Sequence, residues 1–154
     1  MGQQQLLLLV LSTVIVGLAT VAGIQAFSEG QTQATQDALT QRGISIGQDI
    51  SAALNKPDQL GGISQSSSAE QIAAAVGLDD EDGSGEGIPA GGAGDEADCD
   101  INTTPTPMSI VCEENGSGSS NGSDSSQDNQ TVTVQVDQDG AEVTSINDTD
   151  IGSI

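Results

Sequence analysis

The chain has 154 residues and a net charge of −21, from 23 acidic residues against only Arg42 and Lys56. This balance excludes direct nucleic-acid binding, because phosphate recognition requires basic side chains. The chain has no His, Trp or Tyr and a single Phe, so histidine cannot serve as a general base or a metal ligand. We expect no enzymatic activity, no cofactor and no metal centre. The composition is typical of a protein adapted to high salt, which screens charge repulsion.

The first predicted element is an apolar helix over residues 3–27, in the uncharged stretch MGQQQLLLLVLSTVIVGLATVAGIQAF. As a helix, Leu6–Phe27 would span about 33 Å, which matches a hydrocarbon core of about 30 Å. A secretory signal peptide has a basic start and a shorter apolar core of about 7–15 residues. A membrane anchor therefore fits better than a cleaved signal, and the buried spine of a filament is the third interpretation.

The helix is expected to continue through residues 28–56 as an amphipathic segment, because its apolar positions follow a helical spacing. These positions are Leu39, Ile46, Ile50 and Leu54. Three glycines interrupt the segment, each weakening a helix by about 1 kcal/mol relative to Ala, and we interpret them as places where the helix can bend. The glycines are Gly30, Gly43 and Gly47. Pro57 predicts the end of the helix, since the residue before a proline is pushed out of the helical conformation.

Residues 57–98 read as a loop rich in Gly, Ser and acidic residues. One short helix is predicted over 68–76, with Ser68 as its N-cap and with Glu70 and Gln71 in its first turn. The run DDEDGSGE at 79–86 suggests calcium, but its acids do not follow the spacing of a helix–loop–helix calcium site. A solvated acidic loop explains the run better, and diffuse cation binding stays open.

Residues 99–154 are predicted to form a small β region. Its clearest signal is a hairpin over about 131–146, where apolar and polar residues alternate on either side of an Asp-Gly turn at 139–140. This turn would place Val136 opposite Val143 across the hairpin.

The two cysteines, Cys99 and Cys112, are expected to form a disulfide in an extracytoplasmic region. Two thiols without a nearby His do not complete a tetrahedral metal site. The expected fold class is therefore α+β: a long N-terminal α-helix (about 3–55) followed by a small loop-rich β region with one disulfide.

Five of the six asparagines begin an Asn-x-Ser/Thr sequence, more than the abundance of Ser and Thr would produce by chance. They are Asn102, Asn115, Asn121, Asn129 and Asn147. Two interpretations stay open at these positions: sites of glycosylation, or simply flexible polar loops.

The opening MGQQQLLLLVL…IVGLA resembles the N-terminus of type IV pilin-like proteins, and in particular a group of short bacterial members that begin Met-Gly-Gln-Gln-Gln-Leu-Leu. The resemblance covers residues 1–62, including the stretch NKPDQLGG, and loosely 131–147. It implies a two-residue leader, 1–2, removed by a prepilin peptidase between Gly2 and Gln3, often with methylation of the new N-terminus. The chain differs from most members at Leu7, where they carry Glu.

The resemblance implies a structural subunit that leaves the inner membrane and polymerises through its helix into an extracellular filament for adhesion, surface attachment or motility. Its partners would be further copies of the chain and the inner-membrane assembly machinery. The implied filament-core residues are Leu6, Leu7, Leu8, Leu9, Val10, Leu11, Val14, Ile15, Val16, Gly17, Leu18, Val21, Ile24 and Phe27. Two alternatives stay open: a monomeric single-pass protein with an acidic surface domain, and a minor pseudopilin of a secretion system.

Overall fold

The computed structural model describes residues 2–78, 85, 87–94, 97–104, 106–114, 130–147 and 149–150. The chain divides into two compact units, Met1–Ala34 and Thr35–Ile154. We call the second unit the head. Some positions from the sequence analysis lie outside the described residues: Met1 of the leader, most of the acidic run 79–86, and Asn115, Asn121 and Asn129.

One long helix, α1, comprises Gly2–Leu54 and confirms the predicted N-terminal helix. Its last turn closes with a hydrogen bond from the backbone N of Asn55 to the carbonyl of Ser51, at 3.2 Å. Pro57 then prevents continuation, because its ring clashes with the preceding turn. A short 3-10 turn over Asp58–Leu60 follows directly.

A second helix, α2, spans Ala69–Val76, inside the stretch in which the sequence predicts a short helix. Ser68 caps it: the Ser68 hydroxyl accepts from the backbone N of Gln71, and the Gln71 side chain accepts from the backbone N of Ser68. Gly77, at φ 73°, supplies the left-handed residue that ends the helix. The buried side chain of Ile72 fixes α2 to the rest of the head.

The described part of the head contains an antiparallel sheet of six strands in which each strand pairs with the next one along the chain. The strands are β1 (Ile88–Pro89), β2 (Asp98–Asn102), β3 (Met108–Glu113), β4 (Thr131–Val136), β5 (Ala141–Ile146) and β6 (Thr149–Asp150). This meander agrees with the α+β class expected from the sequence. The pairing of β1 with β2 is a correction, because Ile88–Pro89 lies inside the stretch 57–98 read as loop and helix.

One face of the sheet is apolar, because alternate residues of β2, β3 and β4 are buried. Residues of the C-terminal part of α1 join them in a single core cluster, together with Ile72 of α2. Within this core, Cys99 and Cys112 are direct partners in the β2–β3 register and form a disulfide, which confirms the predicted pairing.

Two helix glycines lie where α1 packs against the sheet of the head. A Cβ at Gly47 would come within 2.6 Å of the Ala141 Cβ, and one at Gly43 within 3.0 Å of a Val134 methyl. A larger side chain at either position would push the helix and the sheet apart. These two glycines therefore permit close packing, whereas a Cβ at Gly30 would meet nothing within 4 Å. Their interpretation as places where the helix can bend stays a prediction.

The β4–β5 hairpin differs in register from the sequence expectation. Val136 pairs with Ala141, and Val143 lies opposite Val134. The reason is a four-residue connection in which the Asp137 carboxylate accepts hydrogen bonds from the backbone N of residues 139 and 140, at 2.8 and 3.1 Å. Because Asp137 closes the turn in this way, it does not extend the strand.

Candidate functional site: an exposed apolar helix segment

The first half of α1 presents an exposed apolar surface. Within Leu6–Phe27, a stretch we call the apolar segment, every large hydrophobic side chain is between 50% and 70% exposed. Of the large hydrophobic side chains in the described head, only Leu60 is exposed to a similar degree. Scattered exposed hydrophobics are normal on a soluble protein, but a continuous surface of this size indicates an interaction with a membrane or with protein.

The hydroxyl side chains inside the apolar segment satisfy their hydrogen bonds within the helix. The hydroxyls of Ser12 and Thr13 donate to carbonyls three residues earlier, both at 2.8 Å. The Thr20 hydroxyl lies 2.8 Å from the carbonyl of Gly17. The segment can therefore enter an apolar environment without leaving these hydroxyl donors unpaired.

Helix α1 is long and apolar enough to cross a membrane, and its position near the N-terminus suits either an anchor or a signal sequence. The span contains no charged residue between Leu6 and Phe27. A charged side chain at mid-bilayer costs at least about 2.5 kcal/mol, and this segment avoids that cost entirely.

The second half of α1 has a different environment. Leu39, Ile46 and Ile50 are fully buried and Leu54 is 7% exposed, all in the core of the head. The apolar side of this amphipathic segment, which the sequence predicted, thus packs against the sheet of the same chain. These four side chains are unavailable to a second copy as long as the head is folded.

Besides the apolar core, two side-chain hydrogen bonds attach α1 to the sheet region of the head. The Arg42 Nε donates to the carbonyl of Pro89 in β1 at 3.1 Å, and the Asn55 amide donates to the carbonyl of Gln138 in the β4–β5 connection at 2.9 Å. Neither partner could be read from the sequence, because each bond spans more than forty residues. The glycines at 43 and 47 did carry a signal: they fall on the same helical face as Ile46 and Ile50.

Three carboxylates lie together on the outer face of the sheet. Asp98 and Glu113 are direct cross-strand partners beside the disulfide, and Asp100 follows two residues along β2. Burial raises the pKa of Asp98 above its ordinary value of 3.8, and the charges of Asp100 and Glu113 raise it further. Burial and the charge of Asp100 likewise raise the pKa of Glu113 above 4.5. The Asp100 carboxylate accepts a hydrogen bond from the backbone N of Gly87 at 2.8 Å, which partly offsets its negative charge.

The described residues contain no group of three His, Cys, Asp or Glu side chains arranged to hold a metal ion. An open groove lies between the turn after α1 and the β4–β5 connection, with Lys56 on one side and Asp137 and Asp139 on the other. The groove is open and carries charges of both signs, so we interpret it as a solvent-filled surface groove and not as a site for a defined ligand.

Two of the five Asn-x-Ser/Thr asparagines lie in described parts of the chain. Asn102 ends β2 in a half-buried position opposite Ser109. Asn147 holds the start of β4 in place, because its side-chain oxygen accepts from the backbone N of Thr131 at 3.0 Å and its amide donates to the Gln130 side chain at 2.9 Å. A glycan would replace one of the two hydrogens on this nitrogen and leave a single hydrogen for the bond to Gln130.

No protein-family model, no curated protein and no solved structure matches this chain.

Proposed function

We propose that this chain is the structural subunit of an extracellular, type IV pilus-like filament. The observation that carries the proposal is the division of α1 into two parts. The part from Leu39 to Leu54 is buried in the chain's own head, while the apolar segment has no cover among the described residues. A segment of this kind needs lipid or other protein around it.

In the proposed sequence of events, the precursor first resides in the inner membrane, where lipid surrounds the apolar segment. A prepilin peptidase then cuts between Gly2 and Gln3, and an assembly machinery transfers the subunit to a growing polymer. Apolar segments of neighbouring copies replace lipid in the filament core. The transfer carries no large desolvation cost for an uncharged helix, because its surroundings stay apolar at every stage.

The head suits an exterior position in this scheme. It carries the disulfide, which persists in oxidising compartments, and nearly all of the charge of the chain. Its small aliphatic core is complete without the apolar segment. The head can therefore fold before assembly and keep its fold in the polymer, which in turn mediates adhesion, surface attachment or motility.

The strongest competing function is a monomeric single-pass protein, since the same helix is suited to remain in the bilayer as an anchor. The two functions differ in what surrounds the apolar segment at the cell surface. A minor pseudopilin would share every structural feature and would differ only in copy number.

The experiment that tests the proposal is shearing of intact cells, followed by electron microscopy, intact mass and N-terminal sequencing of the released material. We expect thin filaments composed of this chain, with Gln3 as the first residue. Release of a non-filamentous protein that begins near Phe27 would indicate a secreted protein. Recovery only in membranes, with Met1 intact, would indicate the anchored monomer.

A further inference from the structure

We propose that salt controls the polymerisation of this chain, because the surface that drives association is uncharged and the head strongly repels its copies. This inference rests on the proposed filament function and adds a regulation to it. Concentrated salt would permit assembly, and dilution would release subunits.

The charge is distributed very unevenly between the two units. Residues 1–34 contain a single charged side chain, Glu29. The remaining 22 acidic residues and both basic residues belong to the head, which gives the head a net charge of −20. Association through the apolar segment therefore gains nothing from charge, and it brings heads of the same sign together.

The head has little means of compensating this charge internally. Among the side chains whose exposure the structure describes, the buried polar ones are Ser51 and Gln130, and the carboxylates are half-buried or exposed. The Arg42 side chain bonds a backbone carbonyl, that of Pro89, and Lys56 is exposed. Within the part of the chain that the structure describes, neither cation is paired with a carboxylate. A copy thus offers its neighbour almost no positive surface.

Packing through the helices would place the heads within the range of this repulsion. Helices in contact lie about 8–10 Å apart, whereas a compact unit of this length has a radius of gyration of about 14 Å. Neighbouring heads must then approach closely. The repulsion acts over about 10 Å in 0.1 M salt but only about 3 Å in 1 M salt, so the salt concentration decides whether the apolar contact prevails.

The required ion is general rather than specific. Because the repulsion comes from the net charge of the head, we expect screening by any monovalent salt instead of occupation of a divalent site. Insertion of the uncharged apolar segment into lipid should not depend on salt, since no charge of that segment changes its surroundings.

The test uses sheared filaments of the full-length processed chain, dialysed from 2 M NaCl to about 0.05 M NaCl and back. We expect the sedimenting fraction to fall at least about tenfold on dilution and to return with NaCl or KCl alike. Filaments that persist unchanged in low salt would overturn the inference while leaving the filament function intact. Recovery with millimolar Ca²⁺ or Mg²⁺ at low ionic strength, but not with KCl, would also overturn it. Absence of filaments in every salt would instead contradict the proposed function itself.

A variant with matched control separates charge from side-chain shape. Neutralising four exposed acids (Asp37→Asn, Asp49→Asn, Glu70→Gln and Glu142→Gln) lowers the head charge to −16 without touching the core. Because repulsion scales with the square of the charge, it should fall by about a third, and assembly should then begin at a lower salt concentration. The control changes four exposed amides (Gln33→Asn, Gln41→Asn, Gln48→Asn and Gln59→Asn) and should keep the original midpoint. Equal midpoints for the two variants would contradict the inference.

Discussion

The two halves of α1 differ in what surrounds them. Within Leu6–Phe27 the large apolar side chains are exposed, whereas Leu39, Ile46 and Ile50 have no exposure at all. Both halves are helical and rich in aliphatic residues, so secondary structure does not distinguish them. The difference comes from the polar residues around the second half, which leave a single apolar stripe for the sheet of the head to cover.

The comparison also separates two kinds of apolar burial. The apolar stripe of the second half is buried within the same molecule, and this burial stabilises the head. The apolar segment is uncharged around its whole circumference. Its exposed surface must therefore be buried by lipid or by other protein molecules. Substitutions in the first half should therefore change assembly, and substitutions in the second half should change folding.

The largest expected effect comes from the same substitution made in each half. Ile50→Ala removes a fully buried side chain and should lower the free energy of unfolding of the head by about 2–5 kcal/mol. Ile15→Ala removes an exposed side chain and should leave head stability unchanged. Thermal unfolding of the two full-length proteins in detergent, at equal salt, measures the difference. Equal destabilisation would mean that the two halves do not have separate roles.

Loss of the disulfide should act on the head alone. Replacing Cys99 and Cys112 by Ala removes a link across a sequence separation of 13, which should lower the free energy of unfolding by about 3 kcal/mol. Membrane insertion of the apolar segment should not change. Denaturant unfolding and carbonate extraction of membranes measure the two properties, and loss of membrane retention would argue against independent halves.

Replacing glycine by alanine should change stability in opposite directions in the two halves of α1. Gly47→Ala places a methyl group 2.6 Å from the Ala141 Cβ, and the resulting overpacking should cost about 1–3 kcal/mol. Gly30→Ala meets nothing within 4 Å and should strengthen the helix by up to about 1 kcal/mol. Circular dichroism melting curves of both variants test this, and stabilisation by Gly47→Ala would show that helix and sheet are not closely packed.

The smallest expected effect is a pH dependence confined to the head. Asp98 and Glu113 have raised pKa values, so between neutral pH and their ordinary values of 3.8 and 4.5 the folded head binds protons more readily than the unfolded chain. Head stability should therefore increase as the pH falls through this window, the reverse of ordinary acid denaturation. In the sheet, Asp98 is paired with Pro89 and Glu113 with Thr131, and Asp100 lies two residues further along β2.

Thermal melting in 1 M salt measures this trend, because that salt screens the general repulsion of the head. The double variant Asp98→Asn, Glu113→Gln should lose part of the dependence. A control, Asp49→Asn, neutralises an exposed acid of α1 and should retain it. If the melting temperature depends on pH to the same extent in both variants, these two carboxylates are not the cause of the dependence.

Much of the fold could be predicted from the sequence, for local reasons. The long helix follows from an apolar run that passes directly into a 3.6-residue pattern, and its end follows from Pro57. The cap of α2 follows from Ser68 and Gln71, and the β4 strand from strict alternation. Each of these signals lies within a few residues of the element that it determines.

The remaining features depend on contacts between distant residues. The hairpin register is determined by the Asp137 carboxylate, which closes a four-residue connection in place of the expected Asp-Gly turn. Strand β1 is recognisable only through its pairing with β2. The sequence identified the apolar segment as a candidate site from its lack of charge, but a lack of charge does not say whether lipid or protein surrounds it.

Peptide-resolved hydrogen exchange on sheared, lipid-free material tests the central claim most directly. The account predicts that peptides covering Leu6–Phe27 are present in that material and that their backbone amides are strongly protected. Without lipid, protection beyond that of the isolated helix must come from neighbouring copies of the chain, and the detergent-solubilised monomer supplies the reference value. Absence of these peptides, or protection that appears only when lipid is added, would contradict the account.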